Sequence, residues 1–151
     1  MAIAVEPALV PHLVVDDATA AIDFYVRAFG AVELGRVPGP DGRLVHAALR
    51  INGFTVMLND DFPEMCGGKS MTPTALGGTP VTIHLTVTDV ETKFAQAVEA
   101  GATVVADLQD QFWGDRYGVV ADPFGHRWSL GQPVREVSMD EIAAAIGQPT
   151  G

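Results

Sequence analysis

The sequence predicts an α+β fold built from two βαβββ units in tandem, and three observations carry that prediction. His12-Leu13-Val14-Val15-Asp16-Asp17 returns as His84-Leu85-Thr86-Val87-Thr88-Asp89, 72 residues on and identical at four of six positions. The turn glycines of Asn52-Gly53 and Phe124-Gly125 keep the same offset. Each half holds one stretch of helical period among short runs rich in β-branched residues. A duplicated unit places whatever the chain does where its two copies meet.

Taken in order, His12 to Val15 is short, apolar and β-branched, and reads as a strand. Asp16-Asp17 ends it and supplies a capping oxygen to the next element. Ile22, Tyr25, Val26 and Phe29 then fall at i, i+3, i+4 and i+7, one face of a helix over 18–29. Gly30 closes that helix. A second strand spans 31–37, and Pro38-Gly39-Pro40-Asp41-Gly42 is a turn. Strands over 43–51 and 54–59 form a hairpin around Asn52-Gly53, a favoured two-residue loop. Residues 60–80 hold four Gly and three Pro in 21 positions, with neither period, and read as a loop.

The second unit repeats the order. A strand covers 81–87, and Thr88 with Glu91 is expected to form a capping box. Phe94, Ala97 and Val98 give the helix its buried face and Gly101 stops it. A strand follows over 102–108, then a hairpin of 116–121 and 126–131 around Asp122-Pro123-Phe124-Gly125. In the tail, Met139 to Ile146 reads as a third helix capped by Ser138 and Glu141, and the last residues are expected to fray.

Bulk properties exclude several classes. The chain has 151 residues, 48% of them hydrophobic, enough for one buried core. A net charge of -10 gives no electrostatic reason to bind nucleic acid or an anionic membrane surface. Cys66 is the single cysteine, so no intrachain disulfide forms, as expected in a reducing, cytoplasmic setting. Residues 1–10 are apolar but lack a basic n-region, so no signal peptide is expected, and no apolar run reaches the ~20 residues of a membrane span.

Paired strand-helix-strand-strand-strand units resemble the vicinal-oxygen-chelate (VOC) superfamily of glyoxalase I, bleomycin- and fosfomycin-resistance proteins and extradiol dioxygenases. The motif Trp113-Gly114-Asp115-Arg116-Tyr117-Gly118, followed by Asp122-Pro123-Phe124-Gly125-His126-Arg127-Trp128-Ser129, is similar to its PhnB-like subgroup. The resemblance implies one domain over 8–131, with repeats 8–59 and 80–131, linker 60–79 and a C-terminal tail 132–151. It implies a curved, eight-stranded mixed sheet, first strands side by side, helices outside and a ligand in the cavity. A homodimer is a further implication.

In the resembled family a divalent metal is held by His, Glu or Gln at four related places, which here are Val10, Met57, Thr82 and Ser129. Valine offers no donor, and thioether and hydroxyl ligands are poor ones for hard divalent ions. No metal is therefore expected at those places. His12 and His84, repeat partners two residues further along, stay open between three readings. They are hydrogen-bonded polar residues of the cavity, contacts to a ligand or a proton, or the start of a displaced site for Zn, Ni, Mn or Fe. Alternation puts Met57 and Ser129 toward the cavity and Val56, Leu58, Trp128 and Leu130 toward the helices. Trp113 is either a lid on a ligand or a cap on the core. Arg116 either holds a carboxylate or phosphate or makes a structural ion pair. His46 is expected on a solvent or helix face, and His126 outside the site.

The expected ligand-binding set is thus His12, Met57, His84, Trp113, Arg116 and Ser129. Two functions compete. One is metal-free binding of a small molecule, a drug or metabolite, as in the bleomycin-resistance branch; the overall negative charge would suit a neutral or cationic one. The other is a lyase, isomerase or dioxygenase of the glyoxalase type, with a displaced metal or a histidine base.

Overall fold

Alternation decides the architecture. In the computed structural model, which describes residues 2–147, strand β4 (Phe54–Asp60) buries Val56, Leu58 and Asp60 and leaves Thr55, Met57 and Asn59 partly exposed. The same period-two pattern runs through β1 (His12–Val15) and β3 (Leu44–Ile51). With β2 (Val32–Pro38) these strands form a four-stranded mixed sheet in the order β1-β4-β3-β2, β1 and β4 being parallel. The second unit gives β5 (Thr82–Thr86), β6 (Thr103–Asp110), β7 (Asp115–Ala121) and β8 (Arg127–Pro133) in the order β5-β8-β7-β6. The eight strands are thus two sheets of equal topology, and no ladder joins β1 to β5.

Helix α1 (Ala18–Phe29) and helix α3 (Val90–Ala100) pack on each other and on the inner faces of the sheets. One core results, running from Val15, Leu49 and Leu58 through Phe24 and Tyr25 to Trp128 and Leu130. The four helix-facing residues expected from alternation, Val56, Leu58, Trp128 and Leu130, are all buried. On α1 the buried face is shifted from the expected one. Ala21, Phe24 and Ala28 join Ile22 and Tyr25, while Val26 turns outward, because α1 must also meet the hairpin of the second unit. Val98 of α3 is likewise largely outside the core.

The repeat extends to how the helices begin. Asp60 in β4 accepts from the Ala18 amide at 2.8 Å, and Gln132 in β8 accepts from the Val90 amide at 3.0 Å. Both residues of each pair are 72 positions apart from their counterparts. The last strand of each unit thus satisfies a free amide at the start of its own helix. This replaces the capping box expected at Thr88. Asp89 takes the N-cap position with φ 56°, and neither it nor Thr88 bonds the helix amides through its side chain. Asn52 and Gly53, at φ 53° and 84°, form the tight turn that their types favour.

The stretch expected as loop, 60–80, contains a 3₁₀ turn at Pro63–Met65 and a one-turn helix α2 (Pro73–Leu76). Asp60 itself belongs to β4. Arg43 pins the start of this stretch. Its guanidinium bonds Asp41, Glu64 and the Asp61 carbonyl and lies 4.3 Å from the Phe62 ring centre. Hydrogen bonds from Arg43 hold the Asp41 and Glu64 carboxyls below their usual range. Their folded pKa is depressed, so the contribution is present above the unfolded carboxylate value of about 4 and is lost as pH falls through the lower folded values. These pairs are exposed, so the effect is local. Amide exchange of 61–68, corrected for intrinsic rates, should rise on acidification below about pH 4, and Arg43→Gln should reproduce that rise at neutral pH with little change in Tm.

The tail helix α4 (Met139–Ile146) has the expected bounds, and Ser138 accepts from the Glu141 amide at 3.1 Å. The final residues, expected to fray, lie outside the described residues. No described helix is long and apolar enough to cross a membrane.

Candidate functional site

The face of each sheet turned away from the helices gathers the polar side chains. On the N-terminal sheet the register sets His12 beside Met57, and Met57 beside Ala48. His12 Nε2 donates to Asn59 Oδ1 at 2.6 Å, since the Asn59 amide group itself donates to the Asp60 carbonyl. His46 shares this face, its ring edge-on to His12 at 6.3 Å between centres. That corrects the expectation for His46. Alternation around the buried Ala47 and Leu49 turns 46, 48 and 50 outward together, and an extra residue in β3, at Val45, lets Leu44 still point inward.

On the C-terminal sheet His84 lies beside Ser129, and Ser129 beside Val119. His84 Nδ1 and Ser129 Oγ share a hydrogen bond of 2.8 Å. The imidazole covers Ser129, which explains why a residue on the open face is only 2% exposed. His84 stacks on Tyr117 at 5.9 Å, Trp113 meets Tyr117 edge-on at 5.4 Å, and Phe112 meets Trp113 at 5.1 Å. This aromatic row offers flat apolar surface beside one free imidazole nitrogen.

Gly131 makes room for it. A Cβ there would stand 2.9 Å from His84 Cε1. Gly131→Ala should therefore displace the ring from Ser129 while costing no more than about 2 kcal/mol of stability. Imidazole nitrogen shifts of His84 by NMR should move; unchanged shifts would show that the ring is not held there.

The sheets meet through two reciprocal tethers. His126 Nε2 donates to the Val14 carbonyl at 2.8 Å, and Asn52 Nδ2 donates to the Thr86 carbonyl at 2.9 Å. Beside the His126 tether, the chain before β1 and the start of β5 form the walls of an open cleft of about 510 Å³. Val10, Val81 and Ile83 supply apolar wall, and His12, His126 and Arg127 the polar one. His126 is thus part of the cleft, contrary to expectation, because the tether brings the second hairpin's turn across to β1.

The four places of the resembled family's metal do not make a metal site. Val10 and Thr82 line the cleft, whereas Met57 and Ser129 lie on the two open faces. None contributes a carboxylate or imidazole. Among the described residues no three His, Cys, Asp or Glu side chains stand close enough to share an ion. His12 and His84 have separate partners, Asn59 and Ser129. A divalent ion does not fit this donor set.

Of the expected ligand-binding set, His12 and Met57 sit together on the first open face, and His84, Ser129 and Trp113 on the second. Arg116 lies elsewhere. It points to the helix layer, where Asp110 and Glu91 bond its guanidinium. Tyr117, the centre of the aromatic row, was missed by sequence reasoning. Alternation from Ser129 across the hairpin would have found it.

The chain is similar to known proteins over most of its length. The profile of the Glyoxalase/Bleomycin resistance protein/Dioxygenase superfamily matches residues 7–130. Uncharacterized protein Rv0887c of Mycobacterium tuberculosis strain H37Rv is 83% identical over 146 residues, 97% of this chain and 86% of that protein. The crystal structure of TioX from Micromonospora sp. ML1 is 33% identical with a TM-score of 0.65, covering 85% of this chain and 100% of that one. The fosfomycin resistance protein FosX of Listeria monocytogenes shares the fold, with a TM-score of 0.64 at 14% identity over 91% of this chain and 98% of that one. Duplicated units, capped alike and built into two equal sheets, together with this match, mean that the chain belongs to the glyoxalase/bleomycin resistance protein/dioxygenase (VOC) superfamily.

Proposed function

We propose that this protein binds a small organic molecule between its two units without the family metal and without altering it. The observation that carries this reading is the content of the two open faces. They present imidazole, amide and aromatic groups (His12 and Asn59 on one, His84, Tyr117 and Trp113 on the other), a set suited to holding a ligand. Among the described residues, no three of their carboxylate or imidazole side chains stand close enough together to share an ion, as metal catalysis requires. Binding of a drug or metabolite, as in the bleomycin-resistance branch, is the function class, in a PhnB-like, cytoplasmic protein.

The same reading includes a homodimer. β2 is exposed along its whole length, with Val32, Leu34 and Val37 open to water, and Ile3, Val5 and Leu9 of the N-terminal arm are more exposed still. Apolar edges of this kind are ordinarily covered by a partner. Light scattering after size exclusion should give twice the chain mass.

The central test is elemental analysis of untagged protein together with mass spectrometry of what it releases on denaturation. Substoichiometric metal and an unmodified small molecule are expected. Stoichiometric Zn, Ni, Mn or Fe, with an activity lost to a chelator, would overturn the proposal in favour of a glyoxalase-type enzyme.

A further inference from the structure

Arginine is the scarce resource of this chain. It has 19 acidic residues against 9 basic ones, and its arginines are mostly occupied. Arg27, Arg36, Arg43 and Arg116 each bond a carboxylate, and Arg135 bonds the Phe112 carbonyl. Among the described arginines, Arg50 and Arg127 alone have neither an ion pair nor a side-chain hydrogen bond. Both stand on the faces turned away from the helices, Arg50 in register with Thr55 and Arg127 with Thr82. Arg127 also lines the cleft between the units.

The cleft's charge runs against that of the whole molecule. No Asp or Glu lines it, although such residues make up 19 of 151 positions. Its only charged side chain is the Arg127 guanidinium. His12 and His126 flank it, each using Nε2 as a donor to the protein, to Asn59 and to the Val14 carbonyl. Neither imidazole can quench a cation. The remaining walls are apolar. A guanidinium with no acid of its own chain within ion-pair reach, set beside apolar surface, matches a planar anion carried on an apolar body.

We infer that the cleft takes a small organic carboxylate, with Arg127 gripping the carboxylate and Val10, Val81 and Ile83 packing its apolar part. This rests on the reading of the protein as a small-molecule binder and names its ligand class. It opposes the neutral or cationic ligand that net charge alone suggests. The charge-assisted, two-pronged bond falls to a single bond from a neutral carbonyl when the acid becomes an amide, and an amine in its place is repelled.

Calorimetric titration with 1-naphthylacetate, 1-naphthylacetamide and 1-naphthylethylamine tests this. The acid should bind at least about tenfold more tightly than the amide, and the amine not at all. Arg127→Gln should abolish the difference between acid and amide, whereas Arg50→Gln should leave it intact. Equal binding of all three, or acid preference that survives Arg127→Gln, would overturn the inference and leave the binding reading standing. Failure of all three to bind at millimolar concentration would overturn it too. The metal analysis and released-ligand measurement then decide the broader reading independently.

Discussion

Asp122→Ala should destabilise the fold by about 4 kcal/mol, lowering Tm by roughly 10 °C. The carboxylate is buried and has four partners. Oδ1 accepts from the Phe124 and His126 amides, each at 2.9 Å. Oδ2 accepts from the Tyr25 hydroxyl at 2.5 Å and from Trp128 Nε1 at 2.9 Å. Burial, reinforced by the neighbouring carboxylate, pushes the Tyr25 hydroxyl well above its ordinary pKa, so it stays a donor at any ordinary pH. Alanine leaves all four donors without that acceptor in the core, the costly side of the hydrogen-bond balance. The loss also removes one link between the units, since Tyr25 belongs to the first helix and Asp122 to the second hairpin. Asp122→Asn should cost less, because its amide oxygen still serves the two backbone donors. Thermal melts of the two variants check the order; equal losses would mean that the side-chain donors at Oδ2 carry most of the effect.

Asp60→Ala should cost more than its repeat counterpart Gln132→Ala, about 3 kcal/mol against about 1. Both side chains cap the helix of their own unit, but Asp60 does more. Its second oxygen accepts from the Leu44 amide at 2.6 Å, so one buried carboxylate ties β4, α1 and β3 together. Gln132 is half-buried, carries no charge and holds only the Val90 amide. Urea unfolding of both variants gives the comparison directly. A larger loss for Gln132→Ala would show that the second helix depends on its cap more than the first.

These two residues also mark where sequence reasoning stopped. The 72-residue repeat, the Asn52-Gly53 turn, the inward Val56 and Trp128 and the bounds of α4 follow from local rules: period, turn type and capping. Asp60 was legible only as the first residue of a loop and Asp122 only as a turn residue, because the helix partners Ala18 and Tyr25 lie 42 and 97 positions away. Thr88 misled for the same reason. A local capping box was available, yet a strand from the far end of the unit supplied the acceptor. The faces that His12, Met57, His84 and Ser129 occupy followed from phase, since alternation survives translation along a strand. His46 was lost because a one-residue irregularity in β3, at Val45, changes that phase. Arg116 was ambiguous because a guanidinium goes wherever acids are, and the acids that claimed it, Asp110 and Glu91, sit on other elements. The free state of Arg127 was invisible for the converse reason: only the assembled surface shows which arginine has been left without an acid.

The two tethers, from His126 and from Asn52, both end on main-chain carbonyls, those of Val14 and Thr86. A carbonyl is the same whatever side chain its residue carries. Substitutions along the two inner strands therefore leave the clasp untouched, so the lining of the hollow is free to diverge while the frame around it is kept. A scaffold joined in this way can trade one guest for another by point changes alone.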